Sequence, residues 1–108
     1  VQRLRTKLVA QGANIPLTLE AEHYLHGQGV LCLPDFIANA GGVICAAMEY
    51  HGSTQTEAFR AIAEKIRDNT QQVLVEAKRD NILPRQAAIN LATRRVERAM
   101  GYKRWGIF

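Results

Sequence analysis

The chain has 108 residues, of which 47% are hydrophobic and 22% charged, with a formal charge of +4. That balance fits one soluble globular domain or part of one, and no apolar run approaches the roughly 20 residues that span a bilayer. It begins Val1-Gln2-Arg3-Leu4-Arg5, with no signal peptide and no initiator methionine, and so reads as the middle of a longer protein.

Residues 7–11 form a predicted strand, Lys7-Leu8-Val9-Ala10-Gln11, and Gly12 to Pro16 a loop. Thr18 is placed as an N-cap, with Glu20 and Glu22 in the first turn, where the helix dipole favours acids. This helix runs to about His26 and stops at Gly27-Gln28-Gly29. Val30-Leu31-Cys32-Leu33 is a second strand. Strand, helix, strand at this spacing is a βαβ unit, parallel and right-handed. Pro34-Asp35 then leads into a helix expected over 36–50, ending at His51-Gly52.

Thr54-Gln55-Thr56-Glu57 fits a capping box and opens a long helix over 54–80. Its apolar stripe reads Phe59, Ile62, Ala63, Ile66, Val73, Ala77, and Asp80-Asn81 breaks it. Pro84 suits the first turn of a last helix, whose stripe is Ala88, Leu91, Ala92, Val96, Ala99 and whose end is expected at Gly101. The fold class is therefore α/β and helix-rich: one βαβ unit followed by about three helices, with residues 1–108 a single partial domain. Two parallel strands are too few to stand alone, because parallel sheets occur almost only inside larger, doubly covered ones. The chain is expected to be an excised portion of a larger fold or to pair with another copy.

The two strand ends carry the chemistry. Gly12-Ala13-Asn14 follows one, and Asn39-Ala40-Gly41-Gly42-Val43 lies just beyond the other. Ligands of open α/β sheets bind past the carboxyl ends of the strands, and an asparagine offers an acceptor and two donors to a carboxamide or a ribose hydroxyl. Turn or cap roles for Asn14 and Asn39, with glycines easing tight packing, are the competing reading. No G-x-G-x-x-G or phosphate-loop lysine pattern occurs, and no acid–base pair is evident, so no catalytic residue is assigned.

Asp35 is read as a turn carboxylate capping the following helix, with a catalytic role as the alternative. Lys7, His23 and His26 are read as solvent-facing, His51 as helix-end chemistry, and Glu49 as a polar face or local ion pair. No metal site is expected. Cys32 and Cys45 are read as two buried, reduced thiols of a cytosolic protein. Arg94, Arg95, Arg98, Lys103 and Arg104 make a basic end facing only Glu97, read as a solvated helix face rather than a nucleic-acid surface.

In order and separation, Lys7 to Asn14, Thr18 to Ala21, Gly29-Val30, Pro34-Asp35, Ile37 to Val43 and Glu49 closely resemble the glutamate/leucine/phenylalanine/valine dehydrogenases. The resemblance covers nearly the whole chain. It implies the C-terminal half of a Rossmann-type NAD(P)-binding domain, from an enzyme that deaminates an L-amino acid to a 2-oxo acid and ammonia with NAD or NADP. It further implies that Gly12, Ala13, Asn14 and Asn39 meet the cofactor, and that Asn39, Val43 and Ala46 meet substrate. The family's catalytic lysine and aspartate and its phosphate loop belong to an N-terminal portion not contained in this sequence, so the chain alone is expected to be inactive. The long helix is expected to help link cofactor and substrate domains. Ala46 stands where glutamate-specific members carry a serine, which argues against glutamate as substrate. The intact protein is expected to be a cytoplasmic homo-oligomer. The reading of another class is a helical module for self-association or nucleic-acid binding, without catalysis.

Overall fold

A computed structural model describes residues 1–105, with the side chains of residues 104 and 105 left aside. The elements in chain order are β1 (Leu8–Ala10), α1 (Leu19–Gly27), β2 (Leu31–Leu33), α2 (Asp35–Ala38), α3 (Gly41–Tyr50), α4 (Gln55–Asp80) and α5 (Pro84–Trp105). The strands pair in parallel with Leu8 opposite Leu31, Val9 opposite Cys32 and Ala10 opposite Leu33.

Successive strand residues point to opposite faces, and each face of this short sheet has its own cover. Cys32 packs with Leu25 of α1, Val30, Val9 and Leu17. Leu33, on the other face, packs against Ile37, Val73, Ala77, Ala87, Ala88 and Leu91, the main core, drawn from α2, α4 and α5. The ladder bonds Leu31 N–H to Lys7 O and Gln11 N–H to Leu33 O face inward. Alternation therefore turns the peptide groups of Leu8 and Ala10 toward the outer edge of β1. There only Thr6 Oγ1 meets Leu8 among the described residues, and the Leu8 side chain is 53% exposed.

The helix signals in the sequence act as expected at several ends. Thr18 Oγ1 accepts the Ala21 N–H, and α1 closes through Gln28 with Gly29 at φ +79°. Thr54 and Glu57 form the complete capping box of α4, and Asn81, in the left-handed region at φ 52°, ends that helix. Pro84 is the first residue of α5.

Four expectations are corrected. The helix expected over 36–50 is two helices, because Asn39 (φ −101°, ψ 12°) leaves helical geometry and hands its side chain to a distant partner. The last helix continues past Gly101 to Trp105, since an internal helical glycine costs only about 1 kcal/mol and does not force a stop.

The stripes are only half used. Phe59, Ala63, Ala92, Val96 and Ala99 are exposed, while Ala58 is buried. Geometry explains this: the 26 residues of α4 extend about 39 Å at 1.5 Å each, whereas three-residue strands cover about 10 Å. The helix ends outrun the body that could cover them. Finally, Cys32 is buried but Cys45 is only half-buried, on the α3 surface, where its thiol donates to Glu49 Oε1 at 3.7 Å.

Candidate functional site

The loop after β1 meets the C-terminal end of α2. Asn39 Nδ2 donates to Asn14 Oδ1 at 3.1 Å across 25 residues of sequence. Both predicted strand-end asparagines therefore belong to one constellation. Asn39 sits at the C-terminal end of α2, where its N–H donates to Asp35 O at 2.7 Å. Gly12, Ala13 and Asn14 are exposed in the loop after β1. Val43 and Ala46, three residues apart on α3, share a helix face and are both exposed, Val43 at 76%. A Cβ built on Gly12 or Gly42 would meet nothing within 4 Å, so packing inside this chain does not call for glycine at either position.

Behind the asparagines lies a buried polar network that the sequence reading did not assign. Glu22, one of the two acids expected merely to complement the α1 dipole, is buried instead. It accepts Gln11 Nε2 at 2.9 Å and three contacts from Arg85, the closest at 2.7 Å from Nη2. Arg85 Nη2 also reaches Asp35 Oδ1 at 3.2 Å, and its guanidinium lies 5.6 Å from the Phe36 ring centre. Asp35 Oδ2 accepts the Ile15 N–H at 2.9 Å. Asp35 is thus a cross-loop clamp, and the expected side-chain cap on its own helix is not formed: Pro34 is the N-cap residue. The signal that could have found Arg85 is its position. A cation in the first helical turn opposes the dipole, so a nearby anion must repay it.

The electrostatics follow from these contacts. Burial alone would raise the Glu22 carboxyl, but the bonds from Arg85 and Gln11 outweigh it and hold the group below its ordinary range. The Ile15 N–H, working against burial and helped by Arg85, lowers Asp35. Arg85 is held further into its charged form, first by Glu22. Burial pushes the Cys32 thiol up, away from reactivity.

His23 and His26 are exposed, as expected, and border an apolar groove of about 810 Å³ with Ile15, Leu17, Ile82 and Ile89. Among the described residues no cluster of three or more His, Cys, Asp or Glu could hold a metal ion, and no helix is long and apolar enough to cross a membrane. In the basic end, Arg94 pairs with Glu76 of α4 at 2.9 Å, so Glu97 is not its only acidic neighbour. Arg95, Arg98 and Lys103 are exposed, and the Arg104 side chain lies outside those described.

Known proteins resemble this chain in sequence and fold. The family described as Glutamate/Leucine/Phenylalanine/Valine dehydrogenase matches residues 1–104. A glutamate dehydrogenase of Aeropyrum pernix is 38% identical over 95% of this chain and 27% of its own length. A leucine dehydrogenase of Geobacillus stearothermophilus is 38% identical over 90% of this chain and 26% of its own. Among solved structures, L-tryptophan dehydrogenase from Nostoc punctiforme superposes with a TM-score of 0.80 at 29% identity, over 90% of this chain and 29% of that one. The chain thus spans about a quarter of the length of the curated relatives it matches.

Proposed function

The chain belongs to the glutamate/leucine/phenylalanine/valine dehydrogenase family, and from that premise we propose that it is the C-terminal half of the Rossmann-type NAD(P)-binding domain of an amino-acid dehydrogenase. The intact enzyme, a cytoplasmic homo-oligomer, would convert an L-amino acid, NAD(P)+ and water to a 2-oxo acid, ammonia and NAD(P)H. Residues 1–108 form one partial domain in this reading. The open outer edge of β1 is where the next strand of the parallel sheet would pair.

The observation that carries the reading is the Asn39–Asn14 bond at the ends of two parallel strands. That bond uses one Nδ2 hydrogen of Asn39 and the Oδ1 of Asn14. It leaves the Asn14 Nδ2 donors and the Asn39 Oδ1 acceptor without another partner among the described residues. One donor beside one acceptor is the complement of a carboxamide, the group a nicotinamide ring carries. The unobstructed faces of Gly12 and Gly42 support close approach of a flat ring.

These residues fit one wall of a cofactor site. Gly12, Ala13, Asn14 and Asn39 would hold the nicotinamide end, and the cofactor, when bound, supplies hydride acceptance. The chain's own task is orientation: the paired amides fix one ring edge. Asn39, Val43 and Ala46 would line the substrate side, where the small apolar Ala46 offers no donor to a side-chain carboxylate and favours an apolar amino acid.

The test expresses the complete polypeptide that carries these residues and follows NAD(P)H formation with L-leucine and with L-glutamate. The reading expects activity with L-leucine at the higher kcat/KM, and none from residues 1–108 alone. Activity from the 108-residue chain, or no amino-acid-dependent reduction by the complete polypeptide, would overturn it. A preference for glutamate would overturn the role given to Ala46.

A further inference from the structure

We propose that Arg85 is a positioning residue for the Asn14–Asn39 pair, acting through Asp35. The observation that asks for such a residue is Ile15, at φ +49° in the left-handed region. A β-branched side chain there is a backbone outlier, which persists only where the surroundings hold it. Ile15 directly follows Asn14, so whatever holds Ile15 also sets the course of the Asn14 loop.

What holds Ile15 is Asp35. Its Oδ2 accepts the Ile15 N–H at 2.9 Å, while its own backbone carbonyl accepts the Asn39 N–H at 2.7 Å. One residue thus ties down both asparagines, one through its side chain and one through its main chain. A free aspartate would rotate about χ1 and χ2, and here Arg85 prevents it by occupying Oδ1. Arg85 is fixed in turn by Glu22, which takes both Nε and Nη2, and by the Phe36 ring. Glu22 is fixed by Gln11, the last residue before Gly12. The bonds form a loop: Gln11, Glu22, Arg85, Asp35 and Ile15 bracket the Gly12-Ala13-Asn14 segment from both sides. Nε and Nη2 of one planar fork reach Glu22 and Asp35 together, a fixed geometry that a lysine ammonium does not reproduce.

The inference rests on the dehydrogenase reading for the ligand that the pair meets. The holding of the pair is a property of this chain and is tested without ligand. Arg85→Ala, Arg85→Lys and Asp35→Asn are compared in the complete polypeptide, without ligand, by amide exchange and by the side-chain amide resonances of Asn14 and Asn39. Ile15 exchange is expected to quicken about tenfold or more in all three, with both asparagine resonances moving toward free-amide positions. The amide resonance of buried Val73 in α4 should keep its position, because the core stays folded even as its overall stability falls. Low-millimolar guanidinium should restore Arg85→Ala and not Asp35→Asn.

In the complete polypeptide the same variants should lower kcat about 100-fold, the penalty of a displaced but intact site, with guanidinium again rescuing Arg85→Ala alone. Unchanged Ile15 exchange in Arg85→Ala would overturn the proposal. So would equal displacement of the Ile15 and Val73 amide resonances in every variant, which would make Arg85 a general stabiliser of the core. Local changes as expected in a complete polypeptide without dehydrogenase activity would uphold the positioning and refute the ligand.

Discussion

Replacing Arg85 by methionine keeps most of the aliphatic length and removes only the charged fork. In the parent, that fork contacts Glu22 at 2.7–2.9 Å and Asp35 at 3.2 Å, with side chains 3% and 11% exposed for the carboxylates and 23% for Arg85. Both acids would remain buried without their cation. Removing one partner of a buried pair costs about 3–5 kcal/mol, and the partial exposure of Arg85 places the expected loss at the lower end, about 3 kcal/mol. At about 4–8 °C per kcal/mol for a domain of this size, the melting midpoint should fall by about 12–24 °C. Thermal and urea unfolding of Arg85→Met, Glu22→Gln and the double variant would close a cycle. The two changes should couple by about 1–3 kcal/mol, with the double variant better than the sum. A cycle additive within about 0.3 kcal/mol, or a loss below about 1 kcal/mol for Arg85→Met, would refute the argument that these charges depend on one another.

Two further outcomes follow from the same contacts. Folded Glu22 and Asp35 both titrate below their ordinary values, about 4. Their contribution to stability is therefore complete above about pH 5 and lost as pH falls through the lowered folded values. Urea midpoints measured from pH 7 to pH 3 should drop across that window in the parent and less steeply in Glu22→Gln, where Asp35 still titrates, whereas parallel curves would contradict it. At the other end of the molecule, Thr54→Ala removes the acceptor of the Glu57 N–H and half of the capping box, and should cost about 1 kcal/mol of stability. A serine at position 54 should restore most of that loss, and failure to do so would show that the hydroxyl is not the source.

Local chemistry was legible in the sequence, and partnership was not. The capping box at Thr54, the left-handed stop at Asn81 and the proline start at residue 84 depend on neighbours a few positions away, so their residue types announce them. The meeting of Asn14 and Asn39 was legible too, because parallel strands place their carboxyl ends side by side. The break at Asn39 was hidden, since apolar residues flank Asn39-Ala40-Gly41-Gly42 on both sides and the bond that competes with the helix comes from 25 residues away. Arg85 and Glu22 are 63 residues apart. Glu22 looks like an ordinary first-turn acid, and Arg85, although it opposes its own helix dipole, does not name its partner until the fold puts Glu22 behind the loop after β1. The stripes of α4 and α5 gave the right face at Val73, Ala77, Ala88 and Leu91. Periodicity names the face but not the length over which a neighbour exists, so it marked Phe59 and Val96 as core although nothing described covers them.

The central claim, that Asn14 and Asn39 form the nicotinamide wall of a dehydrogenase site, is tested most directly by magnetisation transfer in the complete polypeptide bound to NAD(P)H. Nuclear Overhauser effects should connect the nicotinamide ring and carboxamide protons to the side-chain amides of Asn14 and Asn39. A cofactor that binds with no transfer to either amide, or with transfer only to the basic end around Arg95 and Arg98, would contradict it.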